Sequence, residues 1–207
     1  MTVSFSGPGL WYATRAAGLV ALLLLTVSML LGVLTAGRFS SPRWPRFLAV
    51  GLHRNLSLLV LAFLALHIGT TVLDSYTSIQ LSAAFIPFVS SYKRGWLGLG
   101  AVALDLLIAL AATSLTRIRL GHRAWRLMHW SAYACWPVAV AHGVGAGTDE
   151  RTAWAAGMTI VCVAAVAGAV AWRLMRRWPQ RWVLRTSLVV LAAAGLPAVL
   201  SLSGHGW

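Results

Sequence analysis

The chain has 207 residues, of which 59% are hydrophobic and only 10% are charged, and its mean hydropathy is +0.77. A soluble domain carries about 25% charged residues, so this composition excludes a soluble globular protein. The formal net charge is +13. A basic balance of this size is typical of nucleic-acid-binding proteins, but the placement of the basic residues excludes nucleic acid as the partner.

Six apolar runs follow one another along the chain. A helix needs about 20 apolar residues to cross the hydrocarbon core of a bilayer, and each run reaches that length. The runs are rich in Leu, Ala and Gly and too long for barrel strands, so the sequence predicts an all-α integral membrane protein, a six-transmembrane-helix bundle. The predicted spans, within one domain that covers residues 1–207, are about 14–36, 48–73, 95–116, 124–146, 153–173 and 184–203.

The basic residues alternate along the chain in a way that indicates topology. Thirteen of the 17 lysines and arginines lie in or beside the connections that follow the first, third and fifth runs. Three of the four acidic residues lie in the other connections. Cytoplasmic loops carry the excess of Lys and Arg, so these three connections are predicted in the cytoplasm and both termini outside. The predicted location is the cell membrane, with the chain crossing the lipid bilayer several times.

The connections offer little room for further domains. The longest, 74–94, mixes apolar side chains with serines and a proline, which is typical of a segment in the membrane interface or over the outer end of a bundle; a loosely ordered loop is the alternative. The glycines of "WLGLG" (96–100) lie inside an apolar run and not at a strand-to-helix turn, so they do not indicate a nucleotide site. No soluble stretch is large enough for a flavin- or nicotinamide-binding domain.

Two of the six runs carry a histidine near each end. His53 and His67 are 14 residues apart, and His129 and His142 are 13 apart, which corresponds to about 21 and 20 Å of helix. One span separates the two runs, so both cross the membrane in the same direction. His53 and His129, the inner pair, are therefore predicted near the cytoplasmic face, and His67 and His142, the outer pair, near the outer face.

Four imidazoles matched in depth indicate haem ligation. A neutral imidazole is a good axial ligand for haem iron, and each pair supplies one ligand from each helix. Hydrogen bonding to a neighbouring helix explains a single intramembrane histidine, but four matched ones are harder to assign to packing. The pairs lie too far apart to share one bare metal ion. Pro137 predicts a kink between His129 and His142, and the rotational phase of these two histidines stays open.

Four charged residues are candidates for supporting roles. Haem propionates are anionic and arginine pairs with them bidentately, so Arg54 and Arg126 are expected near an inner haem and Arg15 near an outer one. Snorkelling to lipid headgroups is the alternative for all three. Asp105 lies in the middle of the third run, where acids are costly. It is expected to orient a ligand histidine or to move protons, unless it is a protonated carboxyl bonded to another helix.

The stretches "LHRNLS" (52–57) and "GHRAWRLMHW" (121–130), with the histidine spacings of 14 and 13, resemble the ferric-reductase-like transmembrane domain family. That family includes the membrane cores of NADPH oxidases and ferric reductases and the bacterial haem subunit of the methionine sulfoxide reductase system. The resemblance covers about residues 10–175. It implies a bacterial membrane cytochrome that holds two b-type haems and passes electrons across the membrane to an outer-face acceptor.

The chain departs from the oxidase cores in lacking a soluble flavin–nicotinamide domain. The electron donor is therefore expected to be a separate protein, a quinol or a separately bound flavin, with this chain as the haem-binding subunit of an oxidoreductase. Two other functions stay open. One is a proton-coupled transporter with Asp105 and the histidines as relay groups, and the other is a structural membrane subunit without a cofactor. Cys135 and Cys162 fall in different runs and are expected to be buried free thiols.

Overall fold

The computed structural model describes residues 8–37, 39, 41–42, 44–75, 79–148 and 152–175. These residues are all-α and contain no β-strand. The sixth predicted span, 184–203, lies outside the described residues. The helices are α1 (Pro8–Ala36), α2 (Arg46–Leu73), α3 (Ser82–Phe85), α4 (Arg94–Leu115), α5 (Arg117–His129), α6 (Ala132–Ala146) and α7 (Ala153–Met175).

Four of these helices are long and apolar enough to cross a membrane. They are residues Gly9–Ala36 of α1, and α2, α4 and α7 in full. Since hydrocarbon offers no partner to a backbone N–H or C=O, a crossing segment must satisfy these groups within itself, which a continuous helix does. The four helices correspond to the first, second, third and fifth predicted spans. The chain is thus a multi-pass membrane protein.

The fourth predicted span, 124–146, is divided between two helices, so the count of six spanning helices is not confirmed. Helix α5 ends at His129 and α6 begins at Ala132. At the break, the hydroxyl of Ser131 donates to the carbonyl of Met128 at 2.7 Å, and the Ser131 N–H donates to the same carbonyl at 3.0 Å. A serine that bonds nearby backbone competes with the α-helical pattern, so the interruption lies here, whereas Pro137 is accommodated inside α6.

The described residues form two compact units, one drawn from 8–22 and 60–148 and the other from 23–59 and 152–175. In the first unit, the start of α1 lies antiparallel to the end of α2, and the hydroxyl of Thr14 donates to that of Thr70 at 2.8 Å. Helix α4 lies antiparallel to α6, where the Cys135 thiol donates to the Ala103 carbonyl at 3.4 Å. This packing of α4 on α6 positions the second histidine-bearing helix.

In the second unit, the remaining parts of α1 and α2 meet through the hydroxyls of Ser28 and Ser57, which are 2.9 Å apart. Helix α7 buries one face at helical spacing, formed by Ala155, Thr159, Cys162 and Val166. Cys162, like Cys135 in the first unit, is buried and free, which confirms the prediction for both thiols.

The segment between α2 and α4 contains the four-residue helix α3 and places several apolar side chains at the surface. Leu81, Phe85, Ile86 and Val89 are exposed. Phe88 has a φ of 63° and its ring lies against Gly98 of α4, while the Arg94 guanidinium donates to the Phe88 carbonyl at 2.5 Å. Exposed apolar side chains suit a segment in the membrane interface, which stays a prediction.

Candidate functional site

The rings of the outer pair lie close together in the first unit. The ring centres of His67 on α2 and His142 on α6 are 6.4 Å apart, and the ring planes cross at 82°. Both side chains are half-buried. The structure therefore brings together two histidines that are 75 positions apart in the sequence and that are predicted to lie at one depth.

The His67 imidazole is held by the backbone of α1. Its Nδ1 donates to the carbonyl of Thr14 at 2.8 Å, since a carbonyl oxygen can only accept. The Thr14 hydroxyl bonds that of Thr70, which in turn donates to the carbonyls of Leu66 and His67 at 2.9 and 3.1 Å. With Nδ1 protonated, Nε2 of His67 keeps the lone pair that binds a metal ion.

The His142 imidazole is held in the same way by the backbone of α4. Its Nδ1 donates to the carbonyl of Trp96 at 2.8 Å. The Trp96 ring lies against Gly145 of α6, and the Lys93 ammonium donates to the carbonyls of Gly145 and Ala146 at 3.1 and 3.4 Å. A cation at the last carbonyls of a helix satisfies their unpaired oxygens and opposes the negative end of the helix dipole. The α4–α6 contact is thus fixed at the level of His142.

A glycine makes room for each of these two rings. A Cβ atom at Gly18 would lie 3.0 Å from Cε1 and Nδ1 of His67, and one at Gly100 would lie 2.6 Å from Nδ1 of His142. Each glycine follows the accepting residue by four positions, or about one helical turn. We call this arrangement, a carbonyl at one position and a glycine four positions later on the facing helix, the carbonyl–glycine cradle.

His53 has a cradle of its own in the second unit. Its Nδ1 donates to the carbonyl of Ser28 at 2.9 Å, and the Ser28 hydroxyl lies 3.2 Å from the same nitrogen. Gly32 follows Ser28 by four positions, and a Cβ there would lie 3.5 Å from Cε1 of His53. With Nδ1 protonated, Nε2 of His53 is the nitrogen whose lone pair can bind a metal ion, as in His67 and His142.

His129, the last residue of α5, lies in a different setting within the first unit. Its ring is stacked on that of Trp125, with centres 4.9 Å apart and an interplanar angle of 26°. The Trp125 indole N–H donates to the hydroxyl of Ser114 at 3.4 Å, and the ring of His122 lies 5.5 Å from that of Trp125. Gly18 and Gly32 are 14 positions apart, but the residue 14 positions after Gly100 is Ser114 and not a glycine. The pairing of His129 with His53 stays a prediction.

The helix that carries His129 has a basic surface. Its four arginines are all exposed, and Gly121 interrupts its helical backbone with φ 76° and ψ 157°. Several of its apolar side chains are exposed too, with Ile118 at 91% and Leu127 at 75%. The arginines are Arg117, Arg119, Arg123 and Arg126.

The charged residues predicted to assist a haem lie on four different helices. The Arg15 guanidinium lies 4.7 Å above the Trp11 ring and also donates to the hydroxyl of Thr148. Arg54 and Arg126 are exposed. Asp105 is exposed on α4, nine residues and therefore about 180° around the helix from Trp96. At His53, His67 and His142 the acceptor for Nδ1 is a backbone carbonyl, and the supporting role of Asp105 stays a prediction.

The cradle residues are only weakly indicated by the sequence, through the spacing of two glycines. Gly18 and Gly32 are 14 positions apart, the same interval as His53 and His67. On two antiparallel helices, equal intervals allow each histidine to meet one glycine. Gly100 stands out in the sequence only as part of a glycine-rich pattern. The accepting carbonyls carry no sequence signal, since every residue has one.

Comparison with known proteins gives one family. Residues 17–140 match the family model described as ferric reductase like transmembrane component. The matched region spans well over half of the chain, contains His53, His67 and His129, and ends two residues before His142. No curated protein and no solved structure matches the chain.

Proposed function

Because this chain belongs to the ferric reductase-like transmembrane component family, we propose that it carries electrons across the membrane through two bis-histidine haems of b type. Family membership supports transmembrane electron transfer. The haems are our proposal, and the observation that carries it is the geometry of His67 and His142.

The separation of these two rings fits a single metal ion between them. An imidazole nitrogen binds a metal at about 2.0–2.1 Å, and the ring centre lies about 1.1 Å behind that nitrogen, so two imidazoles on opposite sides of one ion have centres about 6.2–6.4 Å apart. The centres of His67 and His142 are 6.4 Å apart. Two imidazoles complete the coordination of an iron that already has four porphyrin nitrogens, which supports haem over a bare ion.

The polar surroundings of the two rings also favour ligation. In both rings, Nδ1 donates a hydrogen bond to a backbone carbonyl. This bond fixes the tautomer and makes Nε2 a stronger electron-pair donor to a metal. When bound, haem iron supplies one-electron redox chemistry, while the protein sets its ligands, orientation and surroundings. A proton relay requires both ring nitrogens to exchange protons, and a carbonyl bond on Nδ1 opposes this. The arrangement therefore favours electron transfer over the proton-coupled transporter.

The inner haem, on His53 and His129, is proposed because the sequence predicts both histidines at the same depth, near the cytoplasmic face of the membrane. Three histidines, among them His53, share the carbonyl–glycine cradle, which supports a common role for them. For His129, the ring series His122–Trp125–His129 reaches from the exposed surface of α5 to the proposed ligand, through gaps of 5.5 and 4.9 Å between centres. The four arginines of the same helix are exposed, so we propose that the donor is an anionic or acidic species.

The test of the proposal is the visible spectrum of the detergent-solubilised protein with and without dithionite. We expect a b-type reduced spectrum with two haems per chain. His67→Ala and His142→Ala should each remove the same haem and leave the other. Trp154→Ala is the control, because Trp154 is an exposed ring on α7, a helix that carries none of the candidate ligands. A colourless protein after haem supplementation would contradict the function. Loss of different haems in the two outer-pair variants would contradict the pairing alone.

A further inference from the structure

The rings of His67 and His142 are held by backbone carbonyls on two different helices, α1 and α4. These bonds also determine how the two rings are oriented. We propose that Gly18 and Gly100 are positioning residues that, with the carbonyls of Thr14 and Trp96, hold the imidazole planes of His67 and His142 crosswise. This inference rests on the proposed function, because its consequence is read from the haem between the two rings.

The carbonyl bonds determine how each ring is turned. The last torsion of a histidine side chain is broad and has no sharp preference of its own, so the partner of Nδ1 fixes the plane. For His67 that partner is Thr14 on α1, and for His142 it is Trp96 on α4. Two acceptors on two different helices set the two planes independently, and the planes cross at 82°.

The glycines decide whether the rings can reach those carbonyls. The Cβ of an alanine would lie 2.6 Å from Nδ1 of His142 at position 100, 3.0 Å from Nδ1 of His67 at position 18, and 3.5 Å from the nearest atom of His53 at position 32. The first distance is impossible without movement, the second is tight and the third is ordinary van der Waals contact. Since the helix backbone is held by its own hydrogen bonds, the imidazole is the group that must move.

A moved imidazole changes the iron in a way that loss of packing does not. Crossed ligand planes leave two iron d-orbitals nearly equal in energy, which gives a ferric low-spin haem a single resonance at large g in the electron paramagnetic resonance spectrum. Aligned planes separate those orbitals and give three resolved lines. Loss of the Nδ1 bond also weakens the imidazole as a donor. The spectrum therefore reports ring orientation directly.

The experiment is a graded alanine series on the full-length haem-loaded protein. We expect Gly100→Ala to change the large-g signal of the outer haem, or to remove that haem, while the inner haem is retained. Gly18→Ala should change the same signal less, and Gly32→Ala should change neither signal. Gly143→Ala and Gly69→Ala are matched controls, because both glycines are helical and no atom lies within 4 Å of an added Cβ. The resonance that is missing from the spectrum of the His142→Ala variant identifies the outer haem.

The outcomes separate the two proposals. A wild-type protein that binds no haem contradicts the proposed function and this inference together. A wild-type protein with two haems, whose Gly100→Ala variant has both signals unchanged, overturns the inference alone. The same holds if Gly100→Ala lowers the thermal midpoint but leaves both signals intact, since the role of the glycine is then structural. If Gly100→Ala does not assemble, the Gly18→Ala variant tests the inference by the same criteria.

Discussion

Trp125 lies stacked on His129, with ring centres 4.9 Å apart and planes inclined by only 26°. The other three paired histidines are each held by a backbone carbonyl and a glycine on a facing helix. His129 stacks on an aromatic ring from one turn earlier in its own helix, and Ser114 anchors that ring through the indole N–H. Among the proposed ligands, His129 is thus the one with an aromatic ring of its own helix stacked on it.

Replacing Trp125 should loosen the inner haem selectively. Trp125→Ala removes a stacked pair worth about 0.5–1.5 kcal/mol, so the haem content should fall towards one per chain and the remaining haem should be the outer one. Trp125→Phe keeps an aromatic face and should retain both haems. The control is Trp130→Ala, because Trp130 is 62% exposed. Haem per chain, measured as the pyridine haemochrome, checks the prediction; equal loss of both haems would contradict it.

The inner pair can be tested without reference to the outer one. We predict that His53→Ala and His129→Ala remove one and the same haem, and that this haem differs from the one lost in His67→Ala. The reason is that each iron needs one imidazole from each helix. Reduced-minus-oxidised spectra of single and double variants distinguish the cases. If His53→Ala combined with His129→Ala loses both haems, the inner assignment is incorrect.

Asp105→Asn should leave both haem signals as they are. The carboxyl group is exposed, and the Nδ1 groups of three of the four ligand candidates donate to backbone carbonyls. We expect haem content and midpoint potentials equal to those of the wild type in a potentiometric titration. A shift of either potential would instead restore the hypothesis that Asp105 supports a ligand histidine.

Gly121→Ala should destabilise the protein. Gly121 has φ 76° and ψ 157°, a region that only glycine occupies without strain, and forcing another residue into it costs about 1–3 kcal/mol. Thermal unfolding in detergent should show a lower midpoint than for the wild type. Gly51→Ala serves as the comparison, since Gly51 is helical and has open space around it. Equal midpoints for the two variants would contradict the strain argument.

Lys93→Met should weaken the contact between α4 and α6. The substitution keeps the aliphatic length but removes the ammonium group from the carbonyls of Gly145 and Ala146. A cation at a helix C-terminus contributes about 0.3–1 kcal/mol, so a small fall of the thermal midpoint is expected. Arg119→Met, which removes an exposed charge from α5, should have no such effect. A fall of equal size in both variants would assign it to net charge.

Much of the membrane architecture could be predicted from hydropathy, because the bilayer imposes length and composition on each crossing helix. Helices α1, α2, α4 and α7 follow the predicted spans closely. The fourth span is divided between α5 and α6 for a local reason. Its hydropathy continues through Trp130 and Ser131, whereas the hydrogen bonds of Ser131 end the helix there. Pro137 lies inside α6, and the kink predicted from it stays a prediction.

The proximity of two of the four candidate histidines was predictable from the sequence, but the backbone groups that hold them were not. Matched depth was enough to predict that His67 and His142 would meet, because depth depends only on the count of residues. What holds the rings could not be read in this way, since Thr14, Ser28 and Trp96 contribute carbonyl oxygens that are common to all residues. The equal spacing of Gly18 and Gly32 was a sequence signal for these contacts. It can be interpreted only once α1 is known to pack against α2.

That equal spacing makes α1 intolerant of a change in length. Deleting one residue between Gly18 and Gly32 would turn one end of the helix by about 100° relative to the other and move it by about 1.5 Å. Only one of the two glycines could then still face its histidine. Evolution of this helix is therefore free to exchange many side chains, but insertions and deletions within it should be selected against.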